Sequence, residues 1–280
     1  MLSAAVFFLL QVGPNPTTPQ LEPLPIELKT ARAKQAETQD TDALPTDPLT
    51  RCLMQAELTP LAAQSDANQW LETAIGLPRA HALHCRGFAE TRLGNWTAAA
   101  QSFTAARAEG AIADRTYRAR LGAIAANALI AGGDVQAGLD MLDTAIPDAA
   151  ASGFTALEAE MRLDYARAQV MLGRIDAAGE SLALARQLAP SSSQAWLLSA
   201  TLSRRTGDLG AAATHIAQAK QLNQTNPEIA LEAGVIAVLS GDEAGARANW
   251  QSVIILMPGT PVAATAQDYL AQLGVEEPAQ

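Results

Sequence analysis

The chain has 280 residues, 49% of them hydrophobic but only 4% aromatic, and 29 acidic against 19 basic side chains give a formal charge of −10. An apolar share made largely of alanine suits close helix–helix contact and argues against a sandwich or barrel, which favours β-branched and aromatic residues. The acidic surplus argues against non-specific nucleic-acid binding, which needs a basic footprint.

Residues 2–10 are an apolar stretch, too short to span a bilayer, which takes about 20 residues. Its length is that of a signal-peptide core. We read residues 1–12 as a signal peptide and expect an exported, periplasmic protein with the signal cleaved; a membrane-retained N-terminus is the alternative. Residues 13–46 carry Pro14, Pro16, Pro19, Pro23, Pro25 and Pro45 among polar filler. Such a segment buries too little apolar area to offset chain entropy, so a disordered linker is expected. Residues 47–79 read as a degenerate helical hairpin, DPLTRCLMQAEL (47–58) followed by SDANQWLETAIGL (65–77), the first with an Asp/Pro start signal.

From there the chain repeats. Gly94, Gly133, Gly173, Gly207 and Gly241 are 39, 40, 34 and 34 residues apart, a period typical of stacked helical hairpins. Seven residues before each glycine stands a small residue: Gly87, Ala126, Ala166, Ala200 and Gly234. Five after it are Ala99, Gly138, Ala178, Ala212 and Ala246, again small. Nine after it comes a large apolar residue, Phe103, Leu142, Leu182, Ile216 or Trp250. Ala106, Ala145, Ala185, Ala219 and Val253 occupy the position twelve after. The glycine ends a first helix by adopting a left-handed conformation. The Asp or Asn that follows it (Asn95, Asp134, Asp208, Asp242) is expected to cap the second helix. Small residues at −7 and +5 let the two helices approach, and the large residue at +9 fills the space between hairpins.

These columns, with Trp196 eleven before its glycine and Pro190 and Pro258 seventeen after theirs, resemble the tetratricopeptide repeat (TPR) family over residues 80–260. The resemblance implies an all-α, right-handed α-solenoid of five antiparallel hairpins, closed by a C-terminal capping helix over 261–275. The aromatic that the family carries four before the glycine is missing; Glu90, Leu129, Gln169, Ser203 and Ala237 stand there. The longer spacings imply extended loops around 108–118 and 147–157, or lengthened helices.

In the family, first helices line a concave groove. Carrying its groove positions over, the resemblance implies a peptide-binding face with His81, His84, Phe88, Arg92, Arg120, Asn127, Arg167, Leu197, Thr201, Arg204, Arg205 and Leu231. Five arginines on an otherwise acidic molecule suggest a protein or peptide partner of acidic character with apolar anchors. The alternative for Arg204 and Arg205 is a plain helix-end charge effect. An assembly or regulatory subunit, docked permanently in an envelope complex through its convex faces, is the second functional reading.

Cys52 and Cys85 are 33 residues apart, nearly one repeat. In an oxidising compartment they could bond; otherwise they are two small core residues. His81, His84 and Cys85 share one helix, but nothing nearby completes a metal site, so no metal is expected. No nucleophile elbow, phosphate loop or H-E-x-x-H is present, so neither an enzyme nor a cofactor nor a small-molecule substrate is implied.

Overall fold

The structure, a computed structural model, describes residues 47–110 and 114–274. The signal-peptide and linker assignments therefore lie outside the described residues, as does the end of the tail beyond Gly274. Among the described residues are thirteen helices and no strand. They run α1 (Pro48–Leu58), α2 (Pro60–Leu71), α3 (Leu77–Arg92), α4 (Trp96–Glu109), α5 (Arg115–Ala131), α6 (Val135–Ser152), α7 (Thr155–Met171), α8 (Ile175–Leu188), α9 (Ser193–Arg205), α10 (Leu209–Leu222), α11 (Pro227–Leu239), α12 (Glu243–Leu256) and α13 (Pro261–Gln272). Each packs on the next, so the array is a stack of antiparallel hairpins.

The local signals explain the boundaries. All five turn glycines have positive φ, from 74° to 93°, where a Cβ would be strained. Asp134, Asp208 and Asp242 accept from the backbone N–H three residues on, capping α6, α10 and α12. Asn95 does not: it opens α4, but its side chain makes no capping bond. Arg174, in the equivalent place before α8, makes none either. In the first hairpin α2 starts at Pro60, five residues before the expected Ser65, because Pro60 is preset for a first helical turn. The longer spacings are taken up by helices: α5, α6 and α7 have 17, 18 and 17 residues, against 13 or 14 in the later repeats.

The columns become the core. Residues at −7, +5, +9 and +12 are all buried. Where the family's aromatic is missing at −4, three of the repeats bring the residue eight after the glycine against that position. The Ser102 hydroxyl donates to Glu90 at 2.6 Å, and Ser203 lies 3.4 Å from His215. Leu129 and Met141 sit in one apolar cluster. Polar pairs thus replace ring packing in two repeats. Arg107 ties three helices together, donating to Asp148 (2.7 Å) and to the carbonyls of Thr144 and Arg118, beside Pro147 inside α6.

Cys52 of α1 and Cys85 of α3 form a disulfide, with their Cα atoms 6.0 Å apart. At the other end α13 covers the last hairpin, with Tyr269 against Trp250 (ring centroids 5.2 Å). First helices touch one another directly at α1/α3, α5/α7, α9/α11 and α11/α13, whereas among the described residues no two second helices pack closely. An array whose first helices stand closer together curves with those helices on its inner side.

Candidate functional site

The first-helix face is not uniform. α3 and α5 approach each other less closely than the pairs just named, and so do α7 and α9. An apolar cleft opens at each place. The α3/α5 cleft measures 470 Å³ and is lined by Phe88, Trp96, Phe103 and Ile124, with His84 and Asn127 as polar members. The α7/α9 cleft measures 180 Å³, with Val170, Leu198 and Leu202 inside and Arg167, Thr201 and Arg205 around them.

His84, Phe88 and Asn127 therefore meet at one cleft, and Arg167, Thr201 and Arg205 at the other. Leu197, only 5% exposed, lies in the core beneath the face. Leu231 packs in the last repeat's apolar cluster, and its carbonyl accepts the Trp250 indole N–H at 3.1 Å. Arg120 stands 5.8 Å over the Phe154 ring. His81 sets its ring edge-on to Tyr117.

The electrostatics are more balanced than a count of arginines suggests. Arg92 pairs with Glu57 (3.2 Å), Arg167 with Asp164 (2.7 Å), and Arg204 with Glu232 through two nitrogens (2.7 and 3.3 Å). Asn127 also donates to Asp164, at 3.0 Å. Asp164 and Glu232 both sit nine residues before their turn glycine, one helical turn from the inward positions and outside the columns that the family resemblance assigns to the groove. Reading the −9 column alongside −6 and −3 would have found them. The other four arginines of this face are engaged with Glu57, Phe154, Asp164 and Glu232, whereas Arg205 has neither a pairing acid nor an aromatic partner among the described residues. Trp96 and Ile124 were also missed, because each belongs to the cleft only through the spacing of whole helices.

Burial pushes the His84 imidazole down to about 4, helped by the charge of nearby His81. Neutral His84 therefore faces the Tyr117 hydroxyl, 3.4 Å from its Nδ1, and burial raises that phenol. Burial, then Arg186, lowers His215.

The arrangement has been seen before in outline. No protein-family model and no curated protein matches the sequence. Solved structures do. PilW, a widely conserved type IV pilus biogenesis factor, superposes with a TM-score of 0.61 at 15% identity, over 80% of this chain and all of that one. YrrB, a TPR protein with an unusual peptide-binding site, superposes with a TM-score of 0.50 at 14% identity, over 73% of this chain and 99% of that one. This is a tetratricopeptide-repeat fold. The quorum sensor NprR from B. thuringiensis, in its apo form, is similar to this TPR array as well, with a TM-score of 0.61 at 10% identity over 90% of this chain and 79% of that one. At such identities the likeness is one of fold. On this TPR solenoid the first-helix face carries the two clefts described above. No helix among the described residues is long and apolar enough to cross a membrane.

Proposed function

We propose that this chain is a non-enzymatic protein–protein interaction scaffold that binds a peptide segment or helix of an envelope protein on its first-helix face. The observation that carries this reading is the pair of apolar clefts, which open on the inner side of the array where first helices stand apart. Two pockets on one continuous face suit an extended or helical partner with two apolar anchors. The peptide-binding site named for YrrB and the pilus-biogenesis role named for PilW support it by analogy of fold. A disulfide fits an oxidising compartment, and with the apolar segment at residues 2–10 it supports export to a periplasm.

The test is site-specific photo-crosslinking in the native compartment. A crosslinker at Asn127 or Thr201, on first helices, should trap a protein partner. The same group at Asp140 or Ala217, exposed on second helices, should not. Adducts formed mainly from the second helices would reverse the assignment of the face. One observation favours the second reading, a permanently docked subunit: Met54, Leu58 and Leu61 at the tip of the first hairpin are 52%, 85% and 69% exposed. Stoichiometric adducts from Leu58 and none from Thr201 would support it.

A further inference from the structure

The α7/α9 cleft combines an apolar interior with a basic rim. Its interior is apolar, built from Val170, Leu198 and Leu202. Arg167 stands on one side and Arg205 on the other, and both are exposed. Asp164 partly neutralises Arg167, but Arg205 makes no hydrogen bond or ion pair with any described residue. On a molecule of charge −10, this rim is locally of the opposite sign. At 180 Å³ the cleft is smaller than the roughly 300–1,000 Å³ of small-molecule sites, and it suits a single large apolar side chain.

We infer that this cleft holds an apolar side chain of a partner protein and that an Asp or Glu next to that side chain pairs with Arg205. The inference rests on the reading of the first-helix face as the binding face. The chemistry follows from charge and size: the apolar interior desolvates one aliphatic or aromatic group, and the guanidinium offers a fork of donors that matches a carboxylate. No donor lies within the apolar interior to hold a chain terminus there, so the carboxylate belongs to a side chain of a segment that passes through. The rim charge also discriminates, because a Lys or Arg beside the anchor would meet Arg205 with like charge.

The test is selection of internal random heptapeptides displayed on phage against the full chain, followed by affinity measurement of the enriched peptide. We expect an apolar residue with Asp or Glu within two positions of it. Arg205→Glu should weaken that peptide at least tenfold and shift selection toward Lys or Arg beside the same anchor; Arg205→Gln should weaken it less. Thr201→Trp, which fills the cleft, should abolish binding, with circular dichroism showing that each variant keeps its helices. Apolar peptides without acidic bias, or an affinity unmoved by Arg205→Glu but lost in Thr201→Trp, would overturn the inference and leave the binding face standing. Peptides indifferent to both variants, or no enrichment at all, would overturn both.

Discussion

Gly234 and Trp250 are fitted to each other. They stand sixteen residues apart on the two helices of the last hairpin, and a Cβ added to Gly234 would overlap the indole. The same relation holds in the first full repeat, where a Cβ on Gly87 would lie 2.7 Å from Phe103. In the three repeats between, an alanine shares its buried cluster with Leu142, Leu182 or Ile216 instead. A ring at +9 requires glycine at −7, and an aliphatic side chain allows alanine. In both aromatic repeats the pair conserves volume at a close-packed helix crossing.

That relation predicts the behaviour of three glycine substitutions. Gly234→Ala gains up to about 1 kcal/mol of helix propensity. Overpacking costs about 1–3 kcal/mol, so it should destabilise on balance. Gly87→Ala should do so less, and Phe103→Leu in the same chain should recover most of the loss, as a double-mutant cycle in urea would register. Gly179→Ala is the control. Its Cβ would meet nothing nearer than 3.9 Å, so it should stabilise by about 0.5–1 kcal/mol. Additive losses from Gly87→Ala and Phe103→Leu would sever the claimed coupling.

The disulfide should protect one end of the array. Closing a loop between Cys52 and Cys85 restricts the unfolded chain by about 3–4 kcal/mol in the chain-entropy account. Neighbouring repeats in a solenoid contact only each other, so the effect should be local. After reduction, hydrogen exchange should accelerate over residues 48–71 and remain unchanged over the last two repeats. Uniform acceleration would mean that the bond supports the whole array.

Stability should fall on mild acidification. His84 is held neutral in the fold with its pKa at about 4, against an ordinary value of 6.5. Between those values the unfolded chain binds a proton that the native chain does not, so stability is present above pH 6.5 and declines as pH falls towards 4. For this largely buried ring the shift corresponds to about 3–4 kcal/mol at most. His81 and Tyr117 are the titratable groups beside it. His84→Gln should remove most of the slope of urea midpoint against pH, leaving a smaller one in the same direction from His215. An unchanged slope would place the titration elsewhere.

Arg204 and Arg205 should separate in a variant series despite being neighbours. Arg204 joins α9 to α11 through its two-nitrogen pair with Glu232, and both side chains are largely shielded. Arg204→Ala should cost about 1–3 kcal/mol, because it leaves Glu232 without its charged partner. Arg205 is exposed, and Arg205→Ala should leave the urea midpoint within about 0.5 kcal/mol of the parent. Equal losses would show that Arg205 has a structural partner after all.

By itself the sequence determined the hairpins, their turns and most of the core. Left-handed glycines, aspartate caps and size columns act within about twenty residues of chain, and each leaves its mark at a fixed offset. It did not reveal that Asn95 opens a helix without capping it, since that depends on a rotamer. Nor did it reveal which arginines are already neutralised: Asp164 answers Arg167 within one helix, but Glu232 answers Arg204 only because α9 and α11 are neighbours. The two clefts belong wholly to the tertiary structure. They arise where first helices stand apart, and the separation of helices from successive repeats is set by the summed packing of all the side chains between them.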